Sequence, residues 1–399
     1  MARTAAVLRN GARVSDYVSL GVLTKYVPAD KVEEVLQETG RQSQRHRQLP
    51  APVMVYYVLA LSLYMEVSYG EVLRCLLEGL EWLGLRIRVL RQTARSSISQ
   101  ARRRLGPEPL QRLYEELAGP IAQRGTQGAW YRQWRLVALD GSHLEVADTG
   151  ANEAHFGRPS SPRGGKAGFP QMRFVALAEI GTHVLFGAQA GSYTASELEL
   201  AQPVLSRLHP GMLCLADRGF YGYEFWQQAC QTGAELLWRI QKPVRFPVLQ
   251  RLEDGSYLSQ VYASEKHRRR QEGDWVRVIE YRLEGIDDGQ PVYRLLTTLL
   301  DPQAAPAKEL AALYHERWEV ESAFDELKTH LRGRQVVLRS KTPSLVLQEF
   351  YGLLLTHYAL RCVIHEAALQ GRADPDEISF VHAVRVVRRK LPALAAFSP

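Results

Sequence analysis

The chain has 399 residues, 46% hydrophobic and 23% charged, and its 50 Lys plus Arg against 43 Asp plus Glu give a net charge of +7. This balance excludes a disordered chain, and the length suits two or three domains with a sizeable core. Four scattered cysteines (Cys75, Cys214, Cys230, Cys362) form no C-x-x-C pair, which excludes a disulfide scaffold and a zinc ribbon and fits a reducing compartment. The longest apolar-leaning stretch, residues 53–65, is too short to span a bilayer, and Arg3, Arg9 and Arg13 interrupt any signal-peptide core. The expectation is a soluble cytoplasmic protein with no membrane partner. Only nine of the cations are Lys. Arginine's planar fork suits phosphate, so the excess favours a nucleic-acid partner, although a GC-rich genome accounts for it equally well.

The first third reads as helical. Residues 30–38 open at Asp30 as N-cap and stop at Gly40. Residues 51–65 and 69–80 carry apolar side chains at helical spacing. Residues 97–105 form a basic helix bearing Arg102, Arg103 and Arg104 and ending at Gly106-Pro107, and 108–123 form an amphipathic one. From residue 135 a short apolar run stops at Asp140-Gly141, as a buried strand would. Residues 173–180 and 183–188 flank Gly181-Thr182 as a hairpin, and 195–207 read as helix. Residues 212–216 repeat the strand-then-acid arrangement at Asp217, followed by a helix at 223–232 and a strand at 234–240. Residues 241–300 alternate apolar and polar with turns at Asp254-Gly255 and Asp287-Asp288-Gly289, which predicts a β-rich insertion. Helix resumes at 305–331, then at 343–368 and 377–390.

Within 314–328, Tyr314, Arg317, Glu321 and Lys328 fall within an arc of roughly 60° when each residue advances about 100°. A core stripe would be apolar. A solvated helix with an Arg317–Glu321 pair would look the same, so the pattern alone does not decide. Trp318 and Phe324, at helical spacing on the same segment, are expected in the core. Asp140 and Asp217 each end a strand, and Glu321 on a packed helix can approach the same rim. Three acids so placed repel one another unless a cation neutralises them. Oxygen ligands suit Mg²⁺, and a pair of such ions about 4 Å apart serves an in-line displacement at phosphorus.

With Leu139-Asp140-Gly141-Ser142, Ala216-Asp217-Arg218-Gly219-Phe220-Tyr221-Gly222 and Tyr314-x2-Arg317-x3-Glu321-x6-Lys328, the chain resembles DDE transposases of the insertion-element-4 family. Gly168-Phe169-Pro170-Gln171-Met172-Arg173 and the helical first hundred residues are also similar. The resemblance implies an α/β fold. Its ribonuclease-H-like mixed-sheet core carries a β-rich insertion, is preceded by an all-α N-terminal domain and is followed by C-terminal helices. The boundaries expected are 1–125 for the DNA-binding domain, 130–240 and 301–370 for the two parts of the core, 241–300 for the insertion and 371–399 for a basic C-terminal helix. Family members often continue further, which leaves a truncated copy as an alternative. The resemblance also implies that Asp140, Asp217 and Glu321 are catalytic metal ligands for Mg²⁺, with Mn²⁺ as substitute and two ions in the site. Tyr314, Arg317 and Lys328 would contact phosphates beside the scissile bond. Asp325, one turn on, is the alternative third acid; the spacing of its neighbours selects Glu321. Tyr293 either stacks on a base extruded near the cleavage site or is an ordinary cross-strand aromatic.

The partners implied are double-stranded DNA, as terminal inverted repeats and target, and a second copy of the chain in a synaptic homodimer. The location implied is the bacterial cytoplasm, at the nucleoid. Arg102, Arg103 and Arg104 suit the second helix of a helix-turn-helix, or else favour the helix C-terminus electrostatically. Lys166 in a Gly/Pro-rich loop, Arg41, Arg45 and Arg47, and residues 266–270 are further candidates to meet phosphate. Gly164-Gly165-Lys166 lacks the spacing of a phosphate-binding loop. The function expected is metal-dependent strand cleavage and transfer. A non-catalytic DNA-binding repressor and a hydrolytic nuclease of the same fold are the alternatives.

Overall fold

The apolar patterns become fourteen α-helices and ten strands among the described residues of a computed structural model, which are 18–43, 49–82, 95–160, 168–270, 272–282, 292–333 and 337–389. Lys166, Arg45, Arg47 and the turn at Asp287-Asp288-Gly289 lie outside these. Among the described residues no helix is long and apolar enough to cross a membrane.

The described residues gather into two compact units. The first comprises Met1–Ile121, His143–Met172 and Phe324–Pro399 and is mainly helical. It holds α1 (Val18–Tyr26), α2 (Ala29–Glu38), α3 (Ala51–Leu63), α4 (Tyr69–Trp82), α5 (Arg95–Leu105) and α6 (Glu108–Leu117). α2 starts one residue before Asp30, which sits in its first turn and favours the dipole there. α3 is apolar around its whole circumference and every residue but Pro52 is buried, as in a central core helix. α7 (Gly150–Phe156) follows, capped by the Thr149 side chain. From the far end of the sequence come α13 (Pro343–Gly371) and α14 (Phe380–Arg389). α13 packs along α3 and α6. The N-terminal and C-terminal helices therefore share one core, because helix–helix packing is indifferent to distance along the chain.

The second unit comprises Ala122–Ser142 and Arg173–Ala323. Its strands are β1 (Trp130–Tyr131), β2 (Trp134–Glu145), β3 (Gln171–Glu179), β4 (Val184–Ser192), β5 (Met212–Ala216), β6 (Glu235–Arg239), β7 (Gln250–Arg251), β8 (Tyr257–Val261), β9 (Asp274–Tyr281) and β10 (Tyr293–Thr297). The helices between them are α8 (Glu197–Val204), α9 (Tyr223–Gln231), α10 (Glu265–Arg269), α11 (Ala307–Leu313) and α12 (Glu319–Asp325), whose last residues pass into the first unit. All ten strands join one mixed sheet in the order β4-β3-β2-β5-β6-β10-β9-β8-β7, with β1 on β2. β2, β5 and β6 run parallel, and β6, β10, β9, β8 and β7 pair antiparallel. The insertion is thus not a separate layer: β10 pairs with β6 and carries the sheet onward.

The β3–β4 turn needs glycine at Gly181, whose φ is +79° and where a Cβ would lie 2.5 Å from the Gln127 carbonyl oxygen. In the insertion, Arg277 on β9 is fully buried. Its Nε donates to Ser256 Oγ (2.8 Å), one Nη to the Ala305 carbonyl (2.6 Å), and the other pairs with Asp254. One side chain thus ties the β7–β8 turn to the chain entering α11.

Candidate active site

β2 and β5 are neighbouring parallel strands, and the last pair in their register is Leu139↔Ala216. Asp140 and Asp217 are the next residue on each strand. Strands in a sheet lie about 4.8 Å apart, so the two aspartates emerge side by side. Asp140 does not end its strand as the sequence suggests; β2 runs on to Glu145, and only the pairing with β5 stops there. Asp217 does leave its strand, and its Oδ1 accepts the Gly219 N–H at 2.7 Å.

Burial pushes the Asp140 carboxyl up to about 6, against the pull of the Arg317 guanidinium and the Gly141 N–H, with the charges of Asp217 and Glu197 adding to the rise. Glu197, at the start of α8, is an acid that the sequence reading missed. A Cβ at Gly141 would lie 2.9 Å from its Oε1, so glycine leaves room for it. The signal available was the Ser196–Glu199 capping box, which fixes the start of α8.

The segment after α11 is not one uniform helix. Tyr314–Trp318 is a 3-10 turn, Glu319–Asp325 is α12, and Glu326–Leu331 is π-helical. In a 3-10 turn residues i and i+3 eclipse, which aligns Tyr314 with Arg317. The turn packs on β5. Tyr314 is buried, and its hydroxyl donates to the Ala216 carbonyl at 3.5 Å. That desolvation lifts its hydroxyl to about 12. Arg317 Nη1 donates to Asp140 Oδ2 at 2.7 Å, and Nη2 lies 3.7 Å from Glu321 Oε1. Arg317 therefore bridges two of the three acids.

Among the described residues, the ligand atoms of Asp140, Asp217 and Glu321 do not all lie within 4.8 Å of one another. The guanidinium between Asp140 and Glu321 accounts for the spread: like charges separate, and the cation at hand fills the gap. The donor set is all oxygen, and its most buried member resists ionisation beside two other carboxylates. That chemistry fits a divalent cation that prefers oxygen ligands. Glu319, close by in sequence, is committed elsewhere; its Oε2 accepts the Gly181 N–H at 2.5 Å.

Several sequence-predicted residues stand differently from their expectation. Trp318 is 58% exposed and not in the core, because the tighter 3-10 turn swings it outward, and the Arg317 guanidinium lies 5.6 Å from its ring centre. Phe324 is buried as expected. Tyr293 is buried on β10 opposite Tyr281, with ring centres 5.4 Å apart and the Arg239 guanidinium 4.4 Å from its ring. It borders a cavity of about 200 Å³ with Arg218, Arg239, Lys242 and Arg294. Arg102 is a correction. It is buried, donating to Gln348 Oε1 (2.8 Å), Ser340 Oγ (3.0 Å) and the Leu345 carbonyl (3.2 Å), so it cannot also meet DNA. Arg103 and Arg104, on the outer face of α5, are exposed. Lys328 lies in the π-helical turn, within the first unit. Asp325, the alternative third acid, pairs with His330 at 3.1 Å.

Residues 17–115 match the family described as insertion element 4 transposase N-terminal, and residues 132–358 match the transposase DDE domain. The chain is 30% identical over 381 residues to the Escherichia coli K12 transposase InsG for insertion sequence element IS4, covering 94% of this chain and 84% of that one. It is 25% identical over 223 residues to the putative transposase InsZ of the same organism, covering 56% and 71%. Among solved structures it is similar to a piggyBac transposase seen by cryo-electron microscopy in a synaptic complex with hairpin DNA. The TM-score is 0.50 at 10% identity, covering 93% of this chain and 79% of that one, and the likeness is one of fold. Two family matches and a relative aligned over nearly the whole chain agree with the paired aspartates and the signature turn: the chain belongs to the DDE transposases of the insertion-element-4 family.

Proposed function

We propose that the protein binds the terminal inverted repeats of an insertion sequence as double-stranded DNA, cleaves a strand at each end and transfers the freed 3′-hydroxyl to target DNA. The carrying observation is that Asp140 and Asp217 each follow the last register pair of β2 and β5, with Arg317 reaching from Asp140 to Glu321. Asp140, Asp217 and Glu321 would hold Mg²⁺, or Mn²⁺ in its place, as two ions. Bound there, the ions would activate the attacking oxygen and stabilise the leaving one. Arg317 balances the acids, and its fork would turn to a phosphate once a cation takes its place beside Asp140 and Glu321. Lys328 would offer a point charge to a DNA phosphate. Tyr314, its hydroxyl spent on the Ala216 carbonyl, holds Arg317 and the end of β5 in place.

The cavity beside Tyr293, ringed by Arg218, Arg239 and Lys242, suits a nucleotide's phosphate. Exposed Trp318 has a ring on which a base can stack. A second cavity, of about 310 Å³, sets Tyr221, Tyr223, Phe246 and Tyr262 beside Arg245 and Arg268, next to the exposed basic α10. Aromatic faces interleaved with cations suit DNA strands with splayed bases. Joining two ends calls for two copies, a synaptic homodimer.

Labelled repeat ends incubated with the protein and Mg²⁺ test the reading. Cleaved and joined products are expected, and Asp217→Ala should lower cleavage by more than about 10³-fold with end affinity kept. Binding without nicking indicates the non-catalytic repressor, and nicking without joining indicates a hydrolytic nuclease.

The α5 arginines separate by burial. Arg103→Ala and Arg104→Ala should each reduce the slope of log affinity against log salt by about one at unchanged stability. Arg102→Ala should instead cost about 1–3 kcal/mol in urea unfolding, because it leaves Gln348 Oε1 and the Leu345 carbonyl in the core without this donor. Equal behaviour of the three variants would contradict the division.

A further inference from the structure

The π-helical turn Glu326–Leu331 carries a buried acid that the cleavage chemistry does not use. Glu326 Oε1 accepts from Arg361 Nη2 at 2.7 Å, and its Oε2 lies 3.2 Å from His357 Nε2. Arg361 and His357 both stand on α13 and are both buried, beneath the Phe380 ring of α14. The turn is held at its backbone as well. Arg332 Nε donates to the Lys328 carbonyl at 3.1 Å, and Arg388 Nη2 to the Leu331 carbonyl at 3.4 Å. Its other inward residues, Leu327 and Leu331, are buried. All of these residues lie within the first unit.

A π turn is rarer than an α turn and forms where something outside it pins its wider path. Removing charges from water for a buried ion pair returns little or no net stability, so a well-packed apolar trio would serve the core as well. What a guanidinium on one carboxylate oxygen and an imidazole on the other supply that an apolar trio does not is direction: they fix where the Glu326 carboxylate sits, and with it the phase of the next residues. Lys328 is two residues on, inside the same turn.

We infer that Glu326, held by Arg361 and His357, is a positioning residue that sets the wide turn and aims Lys328 at the DNA backbone. The inference rests on the proposed contact between Lys328 and phosphate. It is tested with the full-length protein and a duplex repeat end, by the salt dependence of binding. Each phosphate contact contributes about one unit to the slope of log affinity against log salt. Lys328→Ala should lower the slope by about one. Glu326→Gln should do the same, and the double variant should match Lys328→Ala alone. Should Glu326→Gln fail to fold, Arg361→Met, which removes the donor to Oε1, carries the same expectation. A wild-type slope in Glu326→Gln, or a further loss in the Lys328→Ala background, overturns the positioning role and leaves the Lys328 contact standing. A wild-type slope in Lys328→Ala overturns both.

Discussion

Asp140→Asn should make the metal-free protein more stable at pH 7.5 while abolishing strand cleavage. Burial, Asp217 and Glu197 push this carboxyl from its ordinary 3.8 up to about 6, despite Arg317. Between those values the folded protein holds a proton that the unfolded chain has released. The contribution of this carboxyl to stability without metal is therefore greatest below pH 4, falls as pH rises to about 6, and stays lower above it. The shift corresponds to about 3 kcal/mol, which an uncharged asparagine of the same shape recovers at neutral pH. The gap between variant and wild type should close by pH 4. Added Mg²⁺ or Mn²⁺ should raise the melting temperature of the wild type and not that of the variant. Cleavage should fall by more than about 10³-fold. Urea unfolding at pH 4 and 7.5, with and without metal, checks the stability claims. A variant that is less stable at both pH values would contradict the account of the site as a cluster of acids awaiting a cation.

Arg277→Met should cost about 3–5 kcal/mol, the penalty for breaking a buried pair by removing one partner. Methionine keeps much of the volume and leaves Asp254, Ser256 and the Ala305 carbonyl without their donor. Asp254 also accepts the Ala307 N–H at 2.8 Å, so its disturbance reaches the start of α11 and the turn that follows. Hydrogen exchange should show the largest loss of protection in β8, β9 and α11. A loss under about 1 kcal/mol in urea unfolding would mean that the sheet extension does not depend on this residue.

The two aspartates were findable because each follows a run of buried apolar residues, and a strand that ends its pairing at an acid writes that into local sequence. The alignment of Tyr314 with Arg317 was also visible, but for a different reason from the one a uniform helix gives: the eclipse of i and i+3 in a 3-10 turn produces it. The same change of pitch explains why Trp318 reads as core and stands in solvent. Arg102 was misread because three consecutive arginines look alike in sequence, while the partner that draws one of them inward, Gln348, is 246 positions away. Glu197 was hidden for a similar reason, since α8 returns to β2 only in space. The insertion's alternating strands were legible, but its pairing of β10 with β6 was not, because strand register between distant segments leaves no local mark.

The central claim is that Asp140, Asp217 and Glu321 hold a divalent cation in common. Crystals of the protein soaked in Mn²⁺, examined by anomalous diffraction, test it most directly. The account predicts a peak bonded to oxygens of Asp140 and Asp217, with Glu321 completing the site, and its loss in Asp140→Asn. Saturating Mn²⁺ with no peak at these carboxylates, or a peak elsewhere that survives the substitution, would contradict it.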